Sequence, residues 1–146
     1  MDNEKIQKEI DREIRIKKVS TMIGSDALFR GVFVVEGAIR IDGKYDGNIR
    51  TRDMVIIGDG GRVKGDIYGD TVIIGGGVKG NIYAMKEIIL LDTAKVLGDL
   101  TATRILIDEG AKFRGKFKKT SEENLKPIFE REVDAFVESE KSSWEW

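Results

Sequence analysis

Apolar and polar residues alternate through the middle of the chain, and the alternation itself repeats. A Gly followed two residues later by an apolar side chain recurs at Gly31-Val-Phe33, Gly47-Asn-Ile49, Gly65-Asp-Ile67, Gly80-Asn-Ile82, Gly98-Asp-Leu100 and Gly115-Lys-Phe117. The Gly-to-Gly spacings are 16, 18, 15, 18 and 17 residues. Two residues before each Gly stands another apolar side chain: Phe29, Tyr45, Val63, Val78, Val96 and Phe113. Midway lies an alternating pair: Ile39 and Ile41, Val55 and Ile57, Val72 and Ile74, Ile88 and Leu90, Ile105 and Ile107. The run TMIGSDALFRG, 21–31, falls in the same register as VIIGDGGRVKG, so the repeats begin near Thr21.

A period of about 17 is too short for helix-pair repeats, which need roughly thirty residues or more. Period-2 alternation rich in Ile and Val, broken by Gly and Asp, predicts short strands. The chain therefore reads as all-β, a single-stranded β-helix of about six coils with about four inward side chains in each. One coil alone buries too little to offset its ordering entropy, so each unit is the template for the next. The first and last coils are then left with unpaired strand edges. The first offers Met22, Ile23, Leu28 and Phe29, and the last offers Ile105, Ile107, Phe113 and Phe117. Two readings of these ends stay open: large rings plug them beneath the tails, or the ends associate with other copies.

Composition divides the chain. All 17 Gly lie between Gly24 and Gly115. This marks a charged N-terminal segment over 1–20, the β-helix over 21–119 and a tail over 120–146. Residues 121–146 carry 3 basic against 8 acidic residues, a net charge of −5 hidden in a near-neutral total. With 25 Lys+Arg against 26 Asp+Glu, bulk charge implies no nucleic-acid partner. The absence of Cys and His removes disulfides, thiolate metal sites and the commonest general base and zinc ligand. No cofactor is expected. The charged first residues are no secretory signal, and no apolar run approaches the ~20 residues of a membrane span. A cytoplasmic protein is the expectation.

The run TMIGSDALFRGVFVVEGAIRIDGKYDGNI, the repeated VIIG and KG[DN]I elements and the closing ILIDEGAKFRGKF resemble the bactofilins over roughly residues 20–119. These are bacterial polymer-forming cytoskeletal proteins. The resemblance implies a right-handed β-helix of six coils between disordered tails. It implies head-to-head and tail-to-tail assembly into non-polar filaments without nucleotide. It also implies a role in cell shape and peptidoglycan organisation by positioning cell-wall enzymes, often at the inner membrane. An aromatic residue of the last coil is needed for polymerisation in that family, and Phe113 in KFRG matches it. Many members have a Pro-rich tail and an apolar N-terminal anchor, whereas this chain has one Pro and starts Met1-Asp2-Asn3. Membrane association is left open.

Other signals weigh less. Gly110 to Lys116, GAKFRGK, matches the start of a phosphate-binding loop, but Phe117 stands where Ser or Thr must hold magnesium. Asp42, Asp59, Asp66, Asp92, Asp99 and Asp108 fall at corners, where Asp bonds its own backbone. Basic residues before the repeat Gly residues form a row fit for anionic lipid or an acidic partner, or a solvated face offset by Asp neighbours. Tyr68 and Tyr83 occupy equivalent outward positions and are expected to stack. Ile6, Ile10 and Ile14 predict a short amphipathic helix. Ile128, Phe129, Val133, Phe136 and Val137 predict another, with Pro127 in its first turn. Phe129, Val133, Phe136, Trp144 and Trp146 are the candidate partner-binding residues of the tail. Alternatively the helix folds over the last coil and controls assembly.

The chain thus reads as a non-enzymatic scaffold whose main partner is itself, with a cell-wall enzyme or inner-membrane protein as a further partner. The alternatives are a monomeric β-helical adaptor capped by its tails, and a left-handed β-helix acyltransferase or carbonic anhydrase. Enzymes of that fold have strict 18-residue coils and use His, whereas coils here vary from 15 to 18 and His is absent.

Overall fold

The computed structural model describes residues 19–144. Ile6, Ile10, Ile14 and Trp146 lie outside the described residues. Every strand pairs in parallel with the strand one coil away, and the result is a β-solenoid of six coils with three faces. The first face stacks β1 (Val19–Ile23), β4 (Ala38–Ile41), β7 (Met54–Ile57) and the second halves of β9 (Ile67–Ile74), β11 (Ile82–Leu90) and β13 (Leu100–Ile107). The second stacks β2 (Leu28–Arg30), β5 (Lys44–Asp46), β8 (Arg62–Lys64), β10 (Gly77–Lys79), β12 (Lys95–Leu97) and β14 (Lys112–Arg114). The third stacks β3 (Phe33–Val35), β6 (Ile49–Thr51), the first halves of β9, β11 and β13, and β15 (Phe117–Lys119).

The register reproduces the repeat. Ile41, Ile57, Ile74, Leu90 and Ile107 form one column, Ile49, Ile67, Ile82, Leu100 and Phe117 another. The four inward side chains per coil are joined by a small fifth on the third face. Thr51 and Ala102 are fully buried there, and a Cβ on Gly69 meets Val55 and Val72 side chains at 3.0 and 3.2 Å. The repeat Gly residues hold φ between +143° and +153°. A Cβ on Gly47 collides with the carbonyl oxygen of Gly31, and one on Gly65 with that of Gly47. Only Gly fits a corner where the chain below already fills the side-chain direction.

Two features sit outside the lumen. Ile56, Ile73 and Ile89, the middle residues of their apolar triplets, point outward on the first face, yet are buried with Ala38 and Met54 in a second cluster. At the corner between the second and third faces, Asn and Asp side chains climb the solenoid. Asp66 N–H donates to Asn48 Oδ1, Asn81 N–H to Asp66, Asp99 N–H to Asn81, and Lys116 N–H to Asp99, at 2.8–3.0 Å. Asp66 and Asp99 are thus structural, as turn chemistry predicts.

After β15 the chain turns into a helix: α1 (Glu122–Phe129), a π-helical turn (Glu130–Asp134) and α2 (Ala135–Ser143). Ser121 caps it, its hydroxyl accepting from Asn124 N–H, with Glu122 and Glu123 in the positive first turn. Pro127 lies inside α1. The helix runs back along the solenoid from the last coil towards the first. α1 packs on β11, the π turn on β6 and α2 on β3. It lies along the third face and not over the last coil, which corrects the reading of a tail folded across that end. The reason is apolar matching: Leu125, Phe129 and Val133 find their partners in Tyr68, Tyr83 and Met85 on the side of the solenoid.

Candidate polymerisation surfaces

At the last coil the core columns simply stop. Ile107 is 43% exposed and Phe117 62%, whereas their column neighbours Leu90 and Leu100 are fully buried. Phe113 and Ile105 are half-buried against the core. All four last-coil residues proposed from the sequence therefore stand at one end, on the second half of β13 and on β14 and β15, whose outer edges have no strand partner among the described residues.

The first coil divides its four. Ile23 is buried and Phe29 half-buried inside the lumen. Met22 and Leu28, both 64% exposed, pair in register with Arg40 and Lys44 and so project outward from the rim. Residue 20 bulges out of the β1–β4 register, which sets which side chains turn in. Phe33 was not among the proposed contacts, yet its ring lies 4.6 Å from that of Phe29. Both rings rest on Tyr45, at 5.9 and 5.2 Å. Tyr45 is fully buried, its hydroxyl shared between the carbonyls of Asn48 at 2.9 Å and Gly31 at 3.1 Å. Burial pushes its phenol up to about 12. The first-coil end is a three-ring plug, legible in the Phe29, Phe33 and Tyr45 repeat positions.

The tail residues are divided too. Phe129 and Val133 are fully buried against the solenoid, so they serve packing within the chain and present nothing to a partner. Phe136, 38% exposed, lies 4.2 Å beneath the Arg50 guanidinium, and Trp144 is 69% exposed. Arg50 is the residue that sequence pattern gave no reason to single out. It is buried, reaches Glu132 at 3.7 Å, sits 5.8 Å over Tyr68, and its Nε has no hydrogen-bond partner among the described residues. Arg52 meets Asp134 at 3.5 Å and lies over Phe129. The π-helical turn is the segment that carries both carboxylates. Tyr68 and Tyr83 stack as expected, 4.8 Å apart and 7° from parallel. The Phe129 ring stands edge-on to Tyr68, and burial pushes the Tyr68 phenol up to about 12.

Gly110 to Lys116 runs from a turn through β14 and leads directly into β15, where a phosphate-binding loop would lead into a helix N-terminus. Asp42 pairs with Arg40 at 2.9 Å, and Asp108 accepts from Gly110 N–H at 3.1 Å. Among the described residues no three carboxylates converge as metal ligands, and no helix is long and apolar enough to cross a membrane.

A solenoid whose core columns end in solvent at the last coil and under a plug of rings at the first defines a class of protein: a structural subunit built by stacking coils. Comparison with known proteins gives it a family. The model for bactofilins, described as polymer-forming cytoskeletal, matches residues 21–118. A solved structure of Thermus thermophilus bactofilin in double helical filaments is 31% identical, covers 68% of this chain and 99% of that one, and superposes with a TM-score of 0.65. The chain belongs to the bactofilin family, and is a cytoskeletal protein of a structural rather than enzymatic kind. No match was found among curated proteins.

Proposed function

We infer that the protein works by stacking its solenoid end to end into filaments that need no nucleotide. One observation carries this reading: the lumen columns continue unbroken through five coils and are exposed at the sixth, so the surface that best covers a terminal coil is another coil. The lateral position of the C-terminal helix supports it, because the helix leaves the last coil uncovered. The relative's assembly into filaments supports it too. Joining like ends, last coil to last coil and first to first, pairs each surface with itself and yields a filament without polarity. Such a filament, at the cytoplasmic side of the inner membrane, organises cell shape by positioning cell-wall enzymes or membrane proteins.

The test is pelleting of purified full-length protein with and without nucleotide. Equal pelleting in both, with long particles in the pellet, is the expected result. Pelleting that requires nucleotide, or its absence in both, refutes the reading.

A further inference from the structure

The C-terminal helix covers the third solenoid face, and Ile56, Ile73 and Ile89 in the outward row of the first are buried. The flanking residues of the second face are mostly exposed, and no described element packs over them. Each of its strands is three residues long with the central residue turned inward, so the flanking residues stack into two outward rows. One row carries Lys44, Arg62, Lys95 and Lys112. The other carries Arg30, Lys64, Lys79 and Arg114. Between them runs a groove of about 800 Å³. Asp46 is the one carboxylate lining it, and Arg30 takes it at 3.3 Å. The other seven cations meet no carboxylate within ion-pair distance among the described residues. The rows hold no aromatic, Asn, Gln, Ser or Thr side chain to read or stack a nucleic-acid base.

The opposite charge lies on the adjacent face. Glu122, Glu123, Glu130, Glu138 and Glu140 are exposed on the helix. Two of its cations are already engaged, Arg131 by Glu132 and Lys141 by Glu36. The helix extends beyond the 21–118 matched to the family, so its chemistry is an addition to the family domain.

We propose that the basic face is a lateral docking surface for the acidic helix of a second copy of this chain, pairing filaments side by side. The proposal rests on the stacking reading, since stacking turns one weak contact into a repeated one. Both features run along the solenoid axis, so stacking repeats them along a filament. Five inter-coil steps of about 4.8 Å make a groove of about 24 Å. The helix, at about 1.5 Å per residue, is long enough to lie along all of it. Because helix and groove occupy neighbouring faces, a two-fold axis sets each copy's helix against the other's groove. Two basic faces repel one another, which excludes the like-to-like pairing.

The experiment is electron microscopy of full-length filaments at low (~0.05 M) and high (~0.5 M) salt, where screening length falls severalfold. Variants are K64E/K79E, E130K/E138K and the two combined. Wild type is expected to be paired at low salt and single at high salt. Each reversed variant is single at both, and the combination pairs again at low salt. Pairing retained in either reversed variant, or not restored in the combination, overturns the proposal. So does co-pelleting of wild type, but not K64E/K79E, with anionic phospholipid vesicles while filament pairing is unchanged, because the face then serves lipid. If no filaments form, it is the stacking reading that fails. Sedimentation velocity then reads the same contact, as wild-type dimers that split with salt and follow the same variant pattern. Wild-type monomers at both salts overturn the proposal.

Discussion

Phe117 lies in register directly above Leu100 in the same core column, yet Leu100 is fully buried and Phe117 is 62% exposed. The two residues have the same role in the repeat and differ only in whether another coil follows. Their substitutions are therefore expected to separate folding from assembly. Leu100→Ala costs about 2–5 kcal/mol of subunit stability, the ordinary price of a core cavity. Phe117→Ala leaves the unfolding midpoint of the unassembled subunit nearly unchanged and weakens pelleting. Urea unfolding beside a sedimentation assay distinguishes them.

The repeat Gly residues make a sharper prediction. Gly65→Ala drives a methyl group into the Gly47 carbonyl at a φ of +144° and is expected to cost about 3 kcal/mol or more. Gly24→Ala meets nothing within 4 Å and is expected to be neutral. Thermal melts of the two variants check this pair.

Arg50 holds the C-terminal helix by shape as much as by charge. Its guanidinium sits over Phe136 at 4.2 Å, while its contact to Glu132 is long at 3.7 Å. Arg50→Ala is expected to loosen the helix and cost about 2 kcal/mol, and Arg50→Met, which keeps the volume and removes an unpartnered buried N–H, under about 1 kcal/mol. Limited proteolysis at Arg131 and hydrogen exchange over 122–143 report the loosening.

The tyrosines predict a one-sided pH response. Burial raises the Tyr45 and Tyr68 phenols to about 12, and raises Tyr83 as well. The folded state thus favours the protonated phenols. Their contribution is fully present below the unfolded value of about 10 and is lost as pH rises from there towards 12. Unfolding temperature is expected to stay level between pH 8 and 10 so far as these groups govern it, then fall. Tyrosinate absorbance in the folded protein lags free tyrosine. A phenol titrating at its ordinary value in the folded state contradicts the burial of these rings.

Filament polarity is readable because the chain has no Cys. A single Lys118→Cys variant, placed in the last coil, is expected to form disulfide dimers within filaments when last coils meet each other. Dimers that appear only after mixing Lys118→Cys with a first-coil Leu28→Cys variant indicate head-to-tail stacking instead.

Much of the fold was legible because a solenoid writes its geometry into its period. Six Gly corners and the alternating Ile and Val columns mark out the coils. The burial of Ile56, Ile73 and Ile89 was not legible, because alternation turns them outward and says nothing of what lies against that face. Alternation alone does not reveal the bulge beside Ser20 either. The tail's amphipathic stripe was visible, but its seat was not. Whether Phe129 packs on the last coil or on Tyr68 depends on residues some sixty positions away. Arg50 offered no pattern at all, being one charge among 25 until the helix closes over it. The last coil was the most legible part of the candidate site, because Phe113 and Phe117 sit in repeat positions whose next member does not exist.

The central claim is that the exposed last coil joins copies end to end. The most direct measurement is negative-stain electron microscopy of full-length protein without nucleotide, beside a Phe113→Arg variant shown by its melting curve to be folded. Filaments in wild type and small discrete particles in the variant are the predicted result. Filaments of equal length in both place the junction away from the last coil, and small particles in both show a subunit that does not stack; either contradicts the claim.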